Sequence, residues 1–395
     1  MRYLNNIILL VSLSLCLSCA EDSTKGGESS LQTSEYHFSA LTNEAGQAAF
    51  SFPLPESGTS FQIAAFTSEG LITLLSLKDP QGREVRLDSS EVTRQGHLLV
   101  PSPHCLNYPF LNGSLAAGTY TALYRLVEQK KHSPLAGKEI NLSVITKVDR
   151  DLNSGTLKVN IVLVGPVGAS TDITASLKKA RDIWREFYAS AGILLDDQWY
   201  AFDGPAALPS PQSGDSFYNL IVQNTRPAAV NVIWGSQLQG LKAPENKYGL
   251  VGSVPGPFPP SVKGVVAISV LAVTGADGRF DFSDPGATQT HNDETRLAAE
   301  EMGRLTAHYL GLENIVTFSG NKVAAVDSLP DTSSCLTITA CRSYKEVRNN
   351  LMFPFPLDKY NSPYDDPDER GREFWPRDVL TKDQRLVLNR SVFVD

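Results

Sequence analysis

The stretch Asn292–Leu312, NDETRLAAEEMGRLTAHYLGL, decides how the chain is read. Ala298, Leu305, Tyr309 and Leu312 recur at the spacing of one helical face. Asn292 and Asp293 are N-cap residue types, so the expectation is a helix from Asn292 to about Leu312. Glu300, Arg304 and His308 stand four apart and line a second, polar face. On an exposed helix Glu300 and Arg304 form an i,i+4 ion pair of favourable direction, worth about 0.3–0.5 kcal/mol. His308, with no partner one turn away, reads as a hydrogen-bonded structural histidine.

Upstream of this helix the pattern is that of a mixed α/β domain over residues 155–395. Leu157–Gly165 (LKVNIVLVG) is nearly continuous apolar sequence, as a strand covered on both faces requires. Ser170-Thr171-Asp172 supplies N-cap chemistry for a helix whose apolar positions are Ile173, Leu177, Ala180, Trp184 and Phe187, and Gly192 stops it. Ile193–Phe202, Ala229–Trp234 and Gly264–Leu271 read as further strands, with a Gly/Pro-rich loop at Tyr248–Pro260. The acidic run Asp277–Asp284 lacks EF-hand spacing and reads as a solvated turn rather than a calcium loop.

Residues 34–148 read as all-β. Gln47–Leu54, Ser60–Phe66, Leu71–Leu77 and Thr119–Val127 are β-branched or aromatic segments of strand length, divided by turns such as Asp79-Pro80-Gln81-Gly82. Short strands at this spacing imply a β-sandwich. Thr146–Thr156 is polar and marks the junction, making the fold class a two-domain one: an N-terminal sandwich and a C-terminal α/β domain. "SLKDPQGREV" and "LAAGTYTALY" resemble the β-sandwich modules that accompany secreted bacterial peptidases.

At the N-terminus Arg2 precedes the apolar run Ile7–Leu17, long enough for a signal h-region and too short to span a bilayer. Leu17-Ser18-Cys19-Ala20 resembles a bacterial lipobox, with Cys16 where that family prefers Leu. The resemblance implies a signal peptide over 1–19, acylation at Cys19 and a flexible tether over 20–33; cleavage after Ala20 is the alternative. Cys335 and Cys341, six apart in an exported chain, are expected to form a disulfide, and Cys105, beside His104, to be a buried thiol. The 395 residues carry a formal net charge of −8 without a basic stripe, so nucleic acid is not an expected partner.

Four segments carry a second resemblance: GRLTAHYLGLEN (303–314), DSLPDTSSC (327–335), NNLMFPF (349–355) and LTKDQRLVLNRSVFV (380–394). Their order resembles that of bacterial metzincin-like zinc endopeptidases. In that family a helix bears H-E-x-x-H-x-x-G-L-x-H, a later Asn-Leu-Met forms the Met-turn, and a helix closes the domain. The resemblance implies that Met352 lies beneath the site. Tyr360 and Tyr364 read as surface residues, although family members often place a tyrosine near the metal.

The chemistry needs two histidines one turn apart to grip Zn²⁺, a glutamate as general base, and a third histidine beyond a glycine. This chain departs from that set in every register. Counted without a gap from Gly311, Arg304 takes the first histidine position, Leu305 the base, His308 the second and Asn314 the third. Counted from AEEMGR, Glu301 is kept as base while Glu300 and Arg304 take the histidine positions. Counted from GRLTAH, His308 comes first and a turn is deleted. Only His291 and His308 lie beyond residue 150, so a three-histidine site is impossible here.

The functional expectation is an exported, lipid-anchored pseudo-metallopeptidase of the cell envelope, outer membrane or surface. It would bind a peptide or protein without catalysis, with no cofactor and no membrane contact beyond its anchor. One alternative is an active zinc peptidase with a rebuilt ligand set of Glu301, His308 and Glu313, with Glu301 catalytic. The other is a purely structural envelope protein.

Overall fold

The computed structural model describes residues 33–54, 60–85, 99–102, 104–108, 115–148, 153–209, 216–227, 229–239, 252–253, 265–274, 288–319, 322–327, 329–354 and 375–394. Cys16, Cys19, the acidic run 277–284, most of the loop 248–260, Tyr360, Tyr364 and the side chain of Cys105 lie outside them.

The described residues open with eight strands: β1 Thr33–Leu41, β2 Gln47–Leu54, β3 Ser60–Phe66, β4 Leu71–Lys78, β5 Val100–Pro101, β6 His104–Tyr108, β7 Gly118–Val127 and β8 Glu139–Lys147. They form two antiparallel sheets, in the orders β1-β8-β3-β6 and β2-β7-β4-β5. Phe50, Phe52, Tyr120 and Tyr124 of the second sheet share one apolar core with Phe61, Ile63, Leu142 and Val144 of the first. Phe52 stacks on Tyr120 with ring centres 5.7 Å apart and meets Phe61 edge-on at 5.4 Å.

β9 (Gly155–Val164) then opens an α/β part. A turn of helix, α1 (Pro166–Ala169), leads to α2 (Thr171–Ala189), whose N-cap Ser170 accepts a hydrogen bond from the Ile173 amide at 3.3 Å. β10 (Ile193–Phe202), β11 (Ala207–Leu208), α3 (Ser216–Gln223), β12 (Val230–Gly235), β13 (Gln237–Leu238), β14 (Gly252–Ser253) and β15 (Val265–Ser269) follow. The main sheet has the order β10-β9-β12-β15-β14, parallel except for the antiparallel edge strand β14. Central strands β9, β12 and β15 are mostly apolar because both faces of this sheet are covered, and the buried Asn160 and Asn231 bond to each other at 3.0 Å. α4 (Val270–Thr274) and the long α5 (Thr288–Tyr309) come next, then the hairpin β16 (Val316–Ser319) and β17 (Lys322–Val326). α6 (Ile338–Ser343), α7 (Lys345–Arg348) and α8 (Lys382–Arg390) complete the order.

Cys335 and Cys341 are bonded, with Cα atoms 5.1 Å apart, closing the loop into α6. Among the described residues no helix is long and apolar enough to cross a membrane.

Two sequence expectations are corrected here. α5 starts at Thr288, so Asn292 and Asp293 lie inside it rather than at its cap. Lys147, read as part of a polar junction, is the last residue of β8 and only 2% exposed. Residues 32–395 form one compact unit, and the reason lies in β3 and β8. Their alternate residues point into two different cores: Phe61, Ile63, Ala65, Leu142 and Val144 into the first, Ala64 and Ile145 into the α/β part.

Candidate functional site

α5 carries the motif and is buried nearly all round from Glu294 to Tyr309. It packs on α2 and against β12 and β15. The approach to α2 is close because Gly303 faces Trp184: a Cβ there would lie 3.2 Å from Trp184 Cδ1. Tyr188 also donates its hydroxyl proton to the Gly303 carbonyl at 2.8 Å.

Burial decides the fate of the charged residues. Glu300 and Glu301 are each 1% exposed and Arg304 is 7% exposed, so none can rely on water and each needs a full partner. The expected surface pair Glu300–Arg304 does not form. Arg304 instead reaches back three residues: its Nη2 donates to Glu301 Oε2 at 2.6 Å, its Nε approaches the same carboxylate at 3.2–3.3 Å, and its Nη1 donates to Asn314 Oδ1 at 3.2 Å. Glu300 accepts from Arg296 Nε at 3.2 Å, one turn earlier.

The residue that joins the two glutamates is Arg377, in the segment before α8. It is fully buried. Its Nη2 donates to Glu301 Oε1 at 2.6 Å and its Nε to Glu300 Oε2 at 3.1 Å. Its backbone N–H donates to Glu300 Oε1 at 3.0 Å and its Nη1 to the Phe353 carbonyl at 2.9 Å. Arg296 in turn reaches Asp378 at 2.5 Å and lies over the Phe187 ring. The result is one alternating chain: Asp378, Arg296, Glu300, Arg377, Glu301, Arg304, with Asn314 at its end. Three guanidinium groups face three carboxylates, so the cluster is neutral as a whole.

The electrostatics follow from this arrangement. Burial pushes the Glu301 carboxyl up, but Arg304 and Arg377 outweigh it and hold the group below its ordinary range. Glu300 is pushed up by burial, which Arg377 and Arg296 only partly offset. Arg377 is lowered by burial, yet Glu301 and Glu300 together raise it above its usual value.

His308 sits where α5 ends. Gly311, at φ +116°, takes a backbone conformation that residues with a Cβ rarely adopt. It lets the Gly311 amide donate to the His308 carbonyl at 3.1 Å and the Leu312 amide to the Ala307 carbonyl at 3.0 Å, a Schellman ending. The His308 ring turns the same way, its Nδ1 lying 2.7 Å from the Leu312 carbonyl and, against that acceptor, bearing the proton. Burial, the largest effect, lowers its pKa, the bond to the Leu312 carbonyl opposes that shift only in part, and the Arg304 charge adds to it.

Met352 is fully buried in a turn held by Asn350, whose Oδ1 accepts the Met352 amide at 2.9 Å. Asn350 also exchanges two bonds with Gln384 of α8, at 2.9 and 3.2 Å. Gln384 completes a capping box with Thr381 at the start of that helix. The Met352 carbonyl accepts from the Ile315 amide at 3.1 Å, which ties the turn to the chain leaving α5.

Glu313 is not drawn toward His308 and Glu301 in a ligand set; its charge instead bears on Asp327. Burial, chiefly, and then the negative charges of Glu313 and Asp331 push Asp327 up to about 7. An unfolded Asp titrates near 4, so between about pH 4 and 7 the native chain binds more protons than the unfolded one, and stability falls as pH rises through that window. Asp327→Asn is therefore expected to remove part of this fall. Urea midpoints at pH 5 and pH 8 should differ less for the variant than for the parent, with the variant relatively more stable at pH 8.

The residues present do not fit a zinc ion. In the ungapped register the first-histidine position is Arg304, which cannot become a ligand; in any register both oxygens of Glu301 are taken by guanidinium groups, and His308 Nδ1 is committed to a carbonyl. Among the described residues no three His, Cys, Asp or Glu side chains converge as a metal site. The structure does bring Arg304, Glu301 and Asn314 together. Sequence reasoning missed Arg377 and Arg296: Arg377 lies 76 positions from Glu301, and no periodicity links them.

No family model matches the chain, and no curated protein matches it. Among solved structures it is similar to an archaemetzincin from Methanopyrus kandleri, at 12% identity and TM-score 0.29, over 52% of this chain and 83% of that one. It is similar to metalloproteinase-II from Bacteroides fragilis at 9% identity and TM-score 0.26, over 44% of this chain and 52% of that one. A cyanophage Pam1 capsid structure is similar at 14% identity and TM-score 0.21, over 33% and 94% of the two chains. At these TM-scores the likenesses do not place the chain in a family.

Proposed function

We propose that this chain is a pseudo-metallopeptidase: an exported protein, lipid-anchored through Cys19, that binds a peptide or protein at the bacterial envelope without cleaving it. Its N-terminal sheets form a β-sandwich, and its α/β part is a metzincin-like domain whose metal site has become an ionic cluster. The observation that carries this reading is the Arg304 guanidinium, bonded at once to Glu301 and to Asn314. In the ungapped register Arg304 and Asn314 stand at the first and third ligand positions, so a fixed organic cation takes the place of an exchangeable one.

A cluster with every carboxylate paired has no group free to activate water, so the role proposed is recognition rather than catalysis. An extended peptide would be taken up by strand addition along the edge strand β14. The test is to expose the full chain to a library of labelled peptides and follow binding by anisotropy and integrity by mass spectrometry. Saturable binding of a subset, intact after incubation and unchanged by chelator, is expected. Cleavage that a chelator abolishes would return the chain to the active peptidases.

A further inference from the structure

We propose that Ser60 and Lys147 form a clamp by which the N-terminal sheets hold the C-terminal end of α8, so that these sheets are an integral support of the α/β part rather than a separable module.

Ser60 and Lys147 lie directly opposite each other in neighbouring antiparallel strands, β3 and β8. Both are buried, and both sit on the face of the sheet that also sends Ala64 and Ile145 into the α/β core. The Lys147 ammonium donates to three backbone carbonyls: Asn389 at 2.7 Å, Val394 at 2.5 Å and Ser391 at 3.3 Å. Ser60 Oγ donates to the Arg390 carbonyl between them. Asn389 and Arg390 are the last two residues of α8, whose carbonyls a helix C-terminus leaves without intrahelical donors at the negative end of its dipole, while Ser391 is its C-cap and Val394 lies in the turn beyond. A buried ammonium is unfavourable unless such acceptors surround it, so Lys147 and the end of α8 each supply what the other lacks.

The clamp reaches the candidate site through two described contacts. Phe393, inside the clamped turn, packs on Tyr309 of α5 with ring centres 5.1 Å apart. At the other end of α8, Gln384 holds Asn350 and with it the Met352 turn. Val394 also bridges to Leu157 of β9. Lys147 is thus a positioning residue for α8.

The test is amide hydrogen exchange on the full chain carrying Lys147→Ala, with and without added propylammonium or 1-propanol. Protection of the amides from Val387 to Val394 is expected to fall about 10- to 100-fold, the size of losing charged hydrogen bonds, while α2 amides change less. Propylammonium should restore protection and 1-propanol should not, because the carbonyls need a cation rather than filled volume. Unchanged protection, or equal rescue by the neutral alcohol, would overturn the proposal. If Lys147→Ala does not fold, Lys147→Met decides the question. It keeps the volume without the charge, and wild-type protection of α8 in it would overturn the proposal.

Discussion

Lys or Met in place of Arg377 should be among the most damaging single changes in the chain; for Arg377→Met the expected loss of unfolding free energy is about 3–5 kcal/mol. Arg377 is wholly buried and supplies donors to both Glu300 and Glu301. Without its side chain Glu301 keeps only Arg304, while Glu300 keeps Arg296 and the backbone donor. The cluster then carries a net negative charge in an apolar surround, where a carboxylate that has lost its partner retains its desolvation penalty. Neutralising one glutamate should relieve this. Arg377→Met with Glu300→Gln is expected to be more stable than Arg377→Met alone, a coupling read from denaturant midpoints in a double-mutant cycle. A loss below about 1 kcal/mol for Arg377→Met, the range of exposed ion pairs, would mean that water reaches the cluster.

Trp184→Ala is expected to be of comparable size, about 3–5 kcal/mol, by a different cause. The indole is fully buried between α2 and α5, stands against Gly303, and meets Tyr188 edge-on with ring centres 5.5 Å apart. Deleting it leaves a cavity between the two helices, and Gly303 has no side chain to fill it. Thermal unfolding would show the drop directly. Gly303→Ala, which presses a methyl group onto the indole at 3.2 Å, should destabilise less.

Helices α2 and α5 and strands β9, β10, β12 and β15 were legible in the sequence because their patterns are local. Ile173, Leu177, Ala180, Trp184 and Phe187 mark one helical face, and α2 lies where that face predicts. LKVNIVLVG reads as a strand covered on both sides, and β9 is one. The charged face of α5 misled for a physical reason. The i,i+4 rule that pairs Glu300 with Arg304 assumes water around both, whereas this helix is enclosed and its charges were matched by whatever the fold brought near. Arg377 arrives from beyond the Met352 turn, and only tertiary structure places it. Lys147 was misread similarly: a lysine after a strand usually marks solvent, and here a helix end covers it.

Glu301, Arg304 and Arg377 form a closed ionic cluster, and the proposed function puts that cluster where a peptidase of this kind would hold zinc. The most direct measurement is the zinc content of the full chain after equilibration with excess Zn²⁺ and removal of unbound ion, for wild type and His308→Ala alike. Neither is expected to retain a stoichiometric ion. One zinc per chain, held by the wild type and lost on replacing His308, would contradict it.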